Sequence, residues 1–150
     1  MNKLLIAFIL ILSLGTYAEG TFVLNAEGAM LSTQYAKDAF KELEEDSDFV
    51  ADKERLELLQ SEGQELVEKF QKDNETLSDE QKLDMQKKIQ DKQNEIQFLA
   101  NKLQTKQQEA AQAIVAALAQ DFQAVLSELI NAKKIELVVT PQSLFYAKPE

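Results

Sequence analysis

Any chemistry in this chain would have to come from carboxylates, amines and amides, because it contains no histidine and no cysteine. Their absence removes the usual zinc ligands, the usual nucleophile–base pairs and any disulfide. The densest titratable cluster is acidic: Glu42, Glu44, Glu45, Asp46, Asp48, Asp52 and Glu54 surround Lys53. Calcium loops need a glycine turn and oxygens in loop spacing, whereas this cluster falls in a helical stretch and reads as a solvated face. No glycine-rich phosphate loop is present. The sequence therefore predicts no catalytic residue, no metal site and no cofactor, and a function carried by surfaces.

The formal net charge is −10. Loss of Lys3 with a cleaved leader would leave 15 bases against 26 acids. That balance opposes nucleic-acid binding, which depends on phosphate neutralisation, and disfavours anionic lipid surfaces. The leader is expected over residues 1–18, where Lys3 precedes the apolar run Leu4 to Leu14 and small residues around Ala18 offer a cleavage site. An uncleaved anchor is the alternative reading. Residues 19–150 are expected to form one domain, without stable membrane insertion once the leader is gone.

The elements that must position any surface lie between Gln34 and Asn131. This stretch holds no proline and one glycine, Gly63, which leaves long helix as the reading. Phe49, Leu56, Gly63 and Phe70 fall on one seven-residue track, with Leu59 and Leu66 on the interleaved one. Ile89, Ile96, Leu103, Ala110 and Ala117 form a track of a second arm, beside Met85, Leu99 and Ala113, with Lys92 and Lys106 as polar breaks. This is coiled-coil spacing. One interruption is expected, at Asp73 to Ser78, where Asn74 can end a helix in the left-handed conformation and Ser78-Asp79-Glu80-Gln81 forms a capping box. At about 1.5 Å per residue the arms would span about 60 Å and about 80 Å.

Short strands are expected at both ends: Thr21 to Leu24, then Lys134 to Thr140 before Pro141, and a last one from Ser143 to Ala147. Asn25 can cap a brief turn through Met30. So little sheet is not stable alone, and the second arm adds a surplus apolar row at Ile114, Leu118, Phe122, Val125 and Leu129. The fold class is therefore mainly α with a small β part: a long antiparallel coiled-coil helical hairpin, or prong, on a small β body shared between subunits of an oligomer. Phe22, Leu24, Ile114, Leu118, Phe122, Val125, Ile135, Leu137 and Val139 are its expected core. The alanine-rich run from Ala110 to Ala119 fits close helix approach between subunits, with a lipid-facing role as the alternative.

Val67, Leu77 and Phe98 are apolar but off the seam. They are candidate residues for contact with a binding partner, or else part of a broader stripe or scattered surface apolars. Gly63 either lets the prong bend or allows close approach of the second arm.

The leader, the strand Phe22-Val23-Leu24-Asn25, the long hairpin, and Ile135-Glu136-Leu137-Val138-Val139 followed by Tyr146-Ala147 resemble the Skp/OmpH family of periplasmic chaperones. The resemblance implies a homotrimer whose small β-barrel body carries helical prongs around a cavity for unfolded outer-membrane proteins, in the periplasm of a Gram-negative bacterium. This chain is acidic where the best-known members are basic, and ends at Lys148-Pro149-Glu150 where they continue. Client holding, with Val67, Leu77 and Phe98 as its candidate contacts, is therefore expected to be apolar and multivalent, without nucleotide hydrolysis. An exported coiled-coil adaptor gripping one folded partner is the alternative.

Overall fold

A computed structural model describes residues 21–143; the expected leader and residues 144–147 of the expected last strand lie outside them. Strand β1 (Thr21–Val23) is followed by α1 (Ala26–Leu31), α2 (Gln34–Glu45), α3 (Ser47–Asp73), α4 (Asp79–Lys133), β2 (Leu137–Val139) and a 3-10 turn at Pro141–Ser143. The two strands pair in parallel, Thr21 with Leu137 and Val23 with Val139. The Leu24 amide extends the ladder by donating to the Val139 carbonyl at 2.9 Å.

Side-chain caps account for most of the helix boundaries. Asn25 Oδ1 accepts from the Gly28 amide at 2.9 Å. A Cβ on Gly28 would meet Asn25 Nδ2 at 2.6 Å, so a side chain there would ask the capping carboxamide to shift. Thr33 Oγ1 donates to the Met30 carbonyl and accepts from the Ala36 amide, closing α1 and opening α2. The sequence reading expects a single interruption in the helical stretch, but a second occurs at Asp46. Its backbone is extended (ψ 127°) and its carboxylate accepts from the Phe49 amide at 2.9 Å. A short acidic side chain favours this cap over helix continuation, so one member of the acidic cluster is a structural cap.

The expected capping box at Ser78 is formed: the Ser78 amide donates to Gln81 Oε1 at 2.9 Å and the Gln81 amide to Ser78 Oγ at 3.3 Å. Asn74, however, is right-handed (φ −55°, ψ −33°) and not left-handed. The amides of Thr76 and Leu77 and the Thr76 hydroxyl all donate to the Asp73 carbonyl, so no left-handed residue is required there. That conformation appears at Lys134 (φ 52°), where the Ile135 amide reaches the Ile130 carbonyl at 3.0 Å in a Schellman closure. Lys134 thus ends α4 instead of beginning a strand, and Ser143 lies in the 3-10 turn and not in a third strand.

Two compact units result. One combines the described parts of Met1–Phe40 and Ala110–Glu150; the other is Lys41–Glu109. The first has a core of Met30, Ala36, Ile114 and Leu118, flanked by Leu31, Phe40 and Phe122. In the second, Phe49, Leu59 and Leu99 are buried. A left-handed lysine carries a steric cost that glycine avoids. Lys134→Gly is therefore expected to stabilise the protein by about 1 kcal/mol, read as a Tm rise of a few degrees at fixed protein concentration.

Candidate functional site

Within the unit Lys41–Glu109, the tracks legible in the sequence face inward. Phe49, Leu59 and Leu99 are buried, and Leu56, Leu66, Phe70, Ile89, Ile96 and Leu103 are half-buried. Lys92 and Lys106 sit on the same tracks, packing their stems in the seam and sending their ammonium groups outward. Lys92 Nζ donates to Glu62 Oε2 at 2.8 Å. Lys106 Nζ lies 3.8 Å from both Asp46 Oδ1 and Asp52 Oδ2. The expected polar breaks are therefore ion-paired positions.

The strongest pair joins Lys102 to Asp52. Lys102 Nζ is 2.8 Å from Asp52 Oδ1 and from Oδ2, and the Asp52 side chain is only 15% exposed. The covered Oδ2 meets no donor in hydrogen-bond geometry among the described residues and faces the Lys102 and Lys106 ammonium groups at 2.8 and 3.8 Å. Removing a partner from such a shielded pair costs more than breaking an exposed one. Arg55 and Glu95, 3.7 Å apart and each more than half exposed, contribute little by comparison. The hydrogen bond and charge of Lys92, with Arg55 adding to them, hold the Glu62 carboxyl below its ordinary value.

Gly63 lies where the helices approach. A Cβ there would meet Lys92 Cγ at 3.3 Å and Ile96 Cδ1 at 3.4 Å, which gives this glycine a packing role. Both flanks of the seam follow from heptad position. One carries Arg55, Glu62, Glu95 and Lys102 and is ionic. The other carries Lys53, Gln60 and Val67 on α3 and Gln86, Gln93, Ala100 and Gln107 on α4. On this second, amide flank a groove with a cavity volume of about 350 Å³ opens above Gly63, Ile89 and Ile96.

The candidate client residues separate. Val67 is half-buried and lines the groove. Leu77 is half-buried in the turn before α4. Phe98 is 68% exposed and, by its position just before Leu99, belongs to the ionic side. Leu58 and Leu83 are also exposed large apolars that the seam pattern did not single out. The glutamine flank was visible in the sequence only by asking which residue type occupies the positions beside the seam.

In the other unit, Ile114 and Leu118 are buried together and Phe122 packs against them. Phe22, Leu24, Val125, Ile135 and Val139 are half-buried, while Leu137 is 52% exposed. Met30 and Ala36 join this core, although nothing in the heptad tracks placed them there. Helix α4 contains a stretch long and apolar enough to cross a membrane by length and composition alone, of which 11% is buried within the chain. A group of acidic side chains able to hold a metal ion is not found among the described residues.

Comparison with known protein families matches residues 20–150 to outer membrane protein (OmpH-like). No individually curated protein and no solved structure shows a match to the chain.

Glu62 gives a pH prediction with a definite sign. A carboxyl whose folded pKa is lowered stabilises the fold above the unfolded pKa and loses that contribution as pH falls through the folded value. The Tm advantage of the wild type over Glu62→Gln, present at pH 7, is expected to shrink below the ordinary value of 4.5. Added salt should shrink it as well. For Gly63, alanine gains helix propensity of up to about 1 kcal/mol and asks Lys92 to yield slightly, so Gly63→Ala is expected to match or exceed wild-type stability. Gly63→Leu overfills the seam and should lose about 1–3 kcal/mol in urea unfolding.

Proposed function

The chain belongs to the OmpH-like outer membrane protein family, and from that premise we propose that it is an ATP-independent holdase chaperone of the periplasm. It binds unfolded outer-membrane proteins and keeps them from aggregating. Lys41–Glu109 serves as an antiparallel coiled-coil arm; the ion pairs support this, since Asp52, Arg55 and Glu62 rise along α3 while Lys102, Glu95 and Lys92 descend along α4. The other unit serves as a body shared between subunits, in a homotrimer as the family resemblance implies.

The observation that carries this reading is the incompletely covered apolar face of α4: beside the buried Ile114 and Leu118, the residues Val115, Val125, Leu129 and Ile130 are only half-buried. A partly covered apolar face is one that a partner surface can complete. The two-stranded sheet points the same way, because so small a sheet gains stability by pairing further strands. Clients are then held among the arms by many weak contacts. High effective concentration retains them, and the weakness of each contact permits release without nucleotide hydrolysis. Phe98 and Leu83, each 68% exposed, are candidate contacts of this kind.

Size-exclusion chromatography with light scattering tests this on the chain without its leader, alone and after dilution of a urea-unfolded β-barrel protein into it. A stable oligomer holding the client in a soluble complex is the expected outcome. An oligomer that leaves the client to aggregate would favour an exported coiled-coil adaptor, and a monomer would remove the shared body.

A further inference from the structure

We propose that the amide groove of α3 and α4 is a docking site for an extended, uncharged stretch of polypeptide. This deepens the holdase reading and rests on it. Gln60, Gln64, Gln71 and Gln93 line the groove around Val67 and Ile96. Gln64 Nε2 donates to Glu68 Oε1 at 3.0 Å. Among the described residues, Gln60, Gln71 and Gln93 make no side-chain hydrogen bond. Each free carboxamide offers a carbonyl and an NH2 group, the same pairing capacity that a peptide unit presents.

Charge complementarity selects the occupant. Lys92 is the one cation on the lining, and it is committed to Glu62 at 2.8 Å. Glu68, the one acid on it, accepts from Gln64. A charged side chain entering the groove would lose hydration without gaining a free counter-charge, unlike one meeting the ionic flank. A folded partner has its backbone groups already paired, whereas an unfolded segment brings them unpaired. The groove is thus suited to backbone with small apolar or amide side chains, read without sequence specificity.

The test uses the oligomeric chain and a fluorescein-labelled peptide of alternating valine, threonine and glutamine, beside versions carrying lysine or glutamate. A photo-crosslinker at Gln64 should capture the uncharged peptide, and one at Glu65, on the ionic side, should not. The pair Gln60→Glu with Gln93→Glu places acids in the groove at exposed helix positions. It should keep helicity and oligomeric state while weakening the uncharged peptide about tenfold, the effect of desolvating unpaired charge. Glu65→Gln, at an exposed position on the ionic side, should leave that affinity unchanged.

Equal capture at both positions, unchanged affinity in the glutamate pair, or capture of a second copy of the chain at Gln64 in place of peptide would overturn the proposal. Peptide docking at Gln64 in a protein that lets the unfolded β-barrel aggregate would sink the holdase reading alone. A soluble barrel without peptide capture at Gln64 would sink the groove alone.

Discussion

Among the described residues both compact units draw on α4, a 55-residue helix that cannot cover its own apolar surface. A helix of that length is not held by propensity alone; its stability comes from burial of apolar stripes by other elements. In Lys41–Glu109 the stripe through Ile89, Ile96 and Leu99 is covered by α3. In the other unit α1 and the start of α2 cover Ile114 and Leu118 through Met30 and Ala36. Among the described residues the rest of the α4 apolar face is only partly covered, and the proposed function grows from that imbalance.

Charge is used locally and not as a global signal. Although the chain is acidic, most lysines of the coiled-coil unit's second half are engaged: Lys92 with Glu62, Lys102 and Lys106 with Asp52, Lys88 with Asp84. Lys88 pairs within α4, and the other pairs align α3 and α4 from one side, where Asp52 is the shielded member and the pair of Arg55 with Glu95 is exposed. The opposite side, around the groove, carries mainly carboxamides. An ionic flank fixes register through specific partners, whereas an amide flank satisfies many partners about equally. The two sides of one coiled coil can therefore do different work.

The small sheet is a weak element by itself. Three residues per strand, with Leu137 half exposed, bury too little to stand alone. Its closure depends on Lys134 accepting a left-handed backbone so that the chain leaving α4 reaches β1. A steric cost at one residue is the consequence of joining a very long helix to a parallel strand.

The amino-acid sequence by itself determined the helical character, the apolar tracks and the capping box at Ser78, because these depend on spacing and on side chains within a few residues of one another. Asp46 as a second break was also written locally, but its acid was indistinguishable from its acidic neighbours without the hydrogen bond to Phe49. Only the tertiary structure decided that Lys92 and Lys106 are ion-pair positions, that Gly63 answers to Lys92 and Ile96, and that Val67 and Phe98 belong to different surfaces. These facts depend on which residues from distant parts of the chain meet, and heptad spacing leaves both register and partner open.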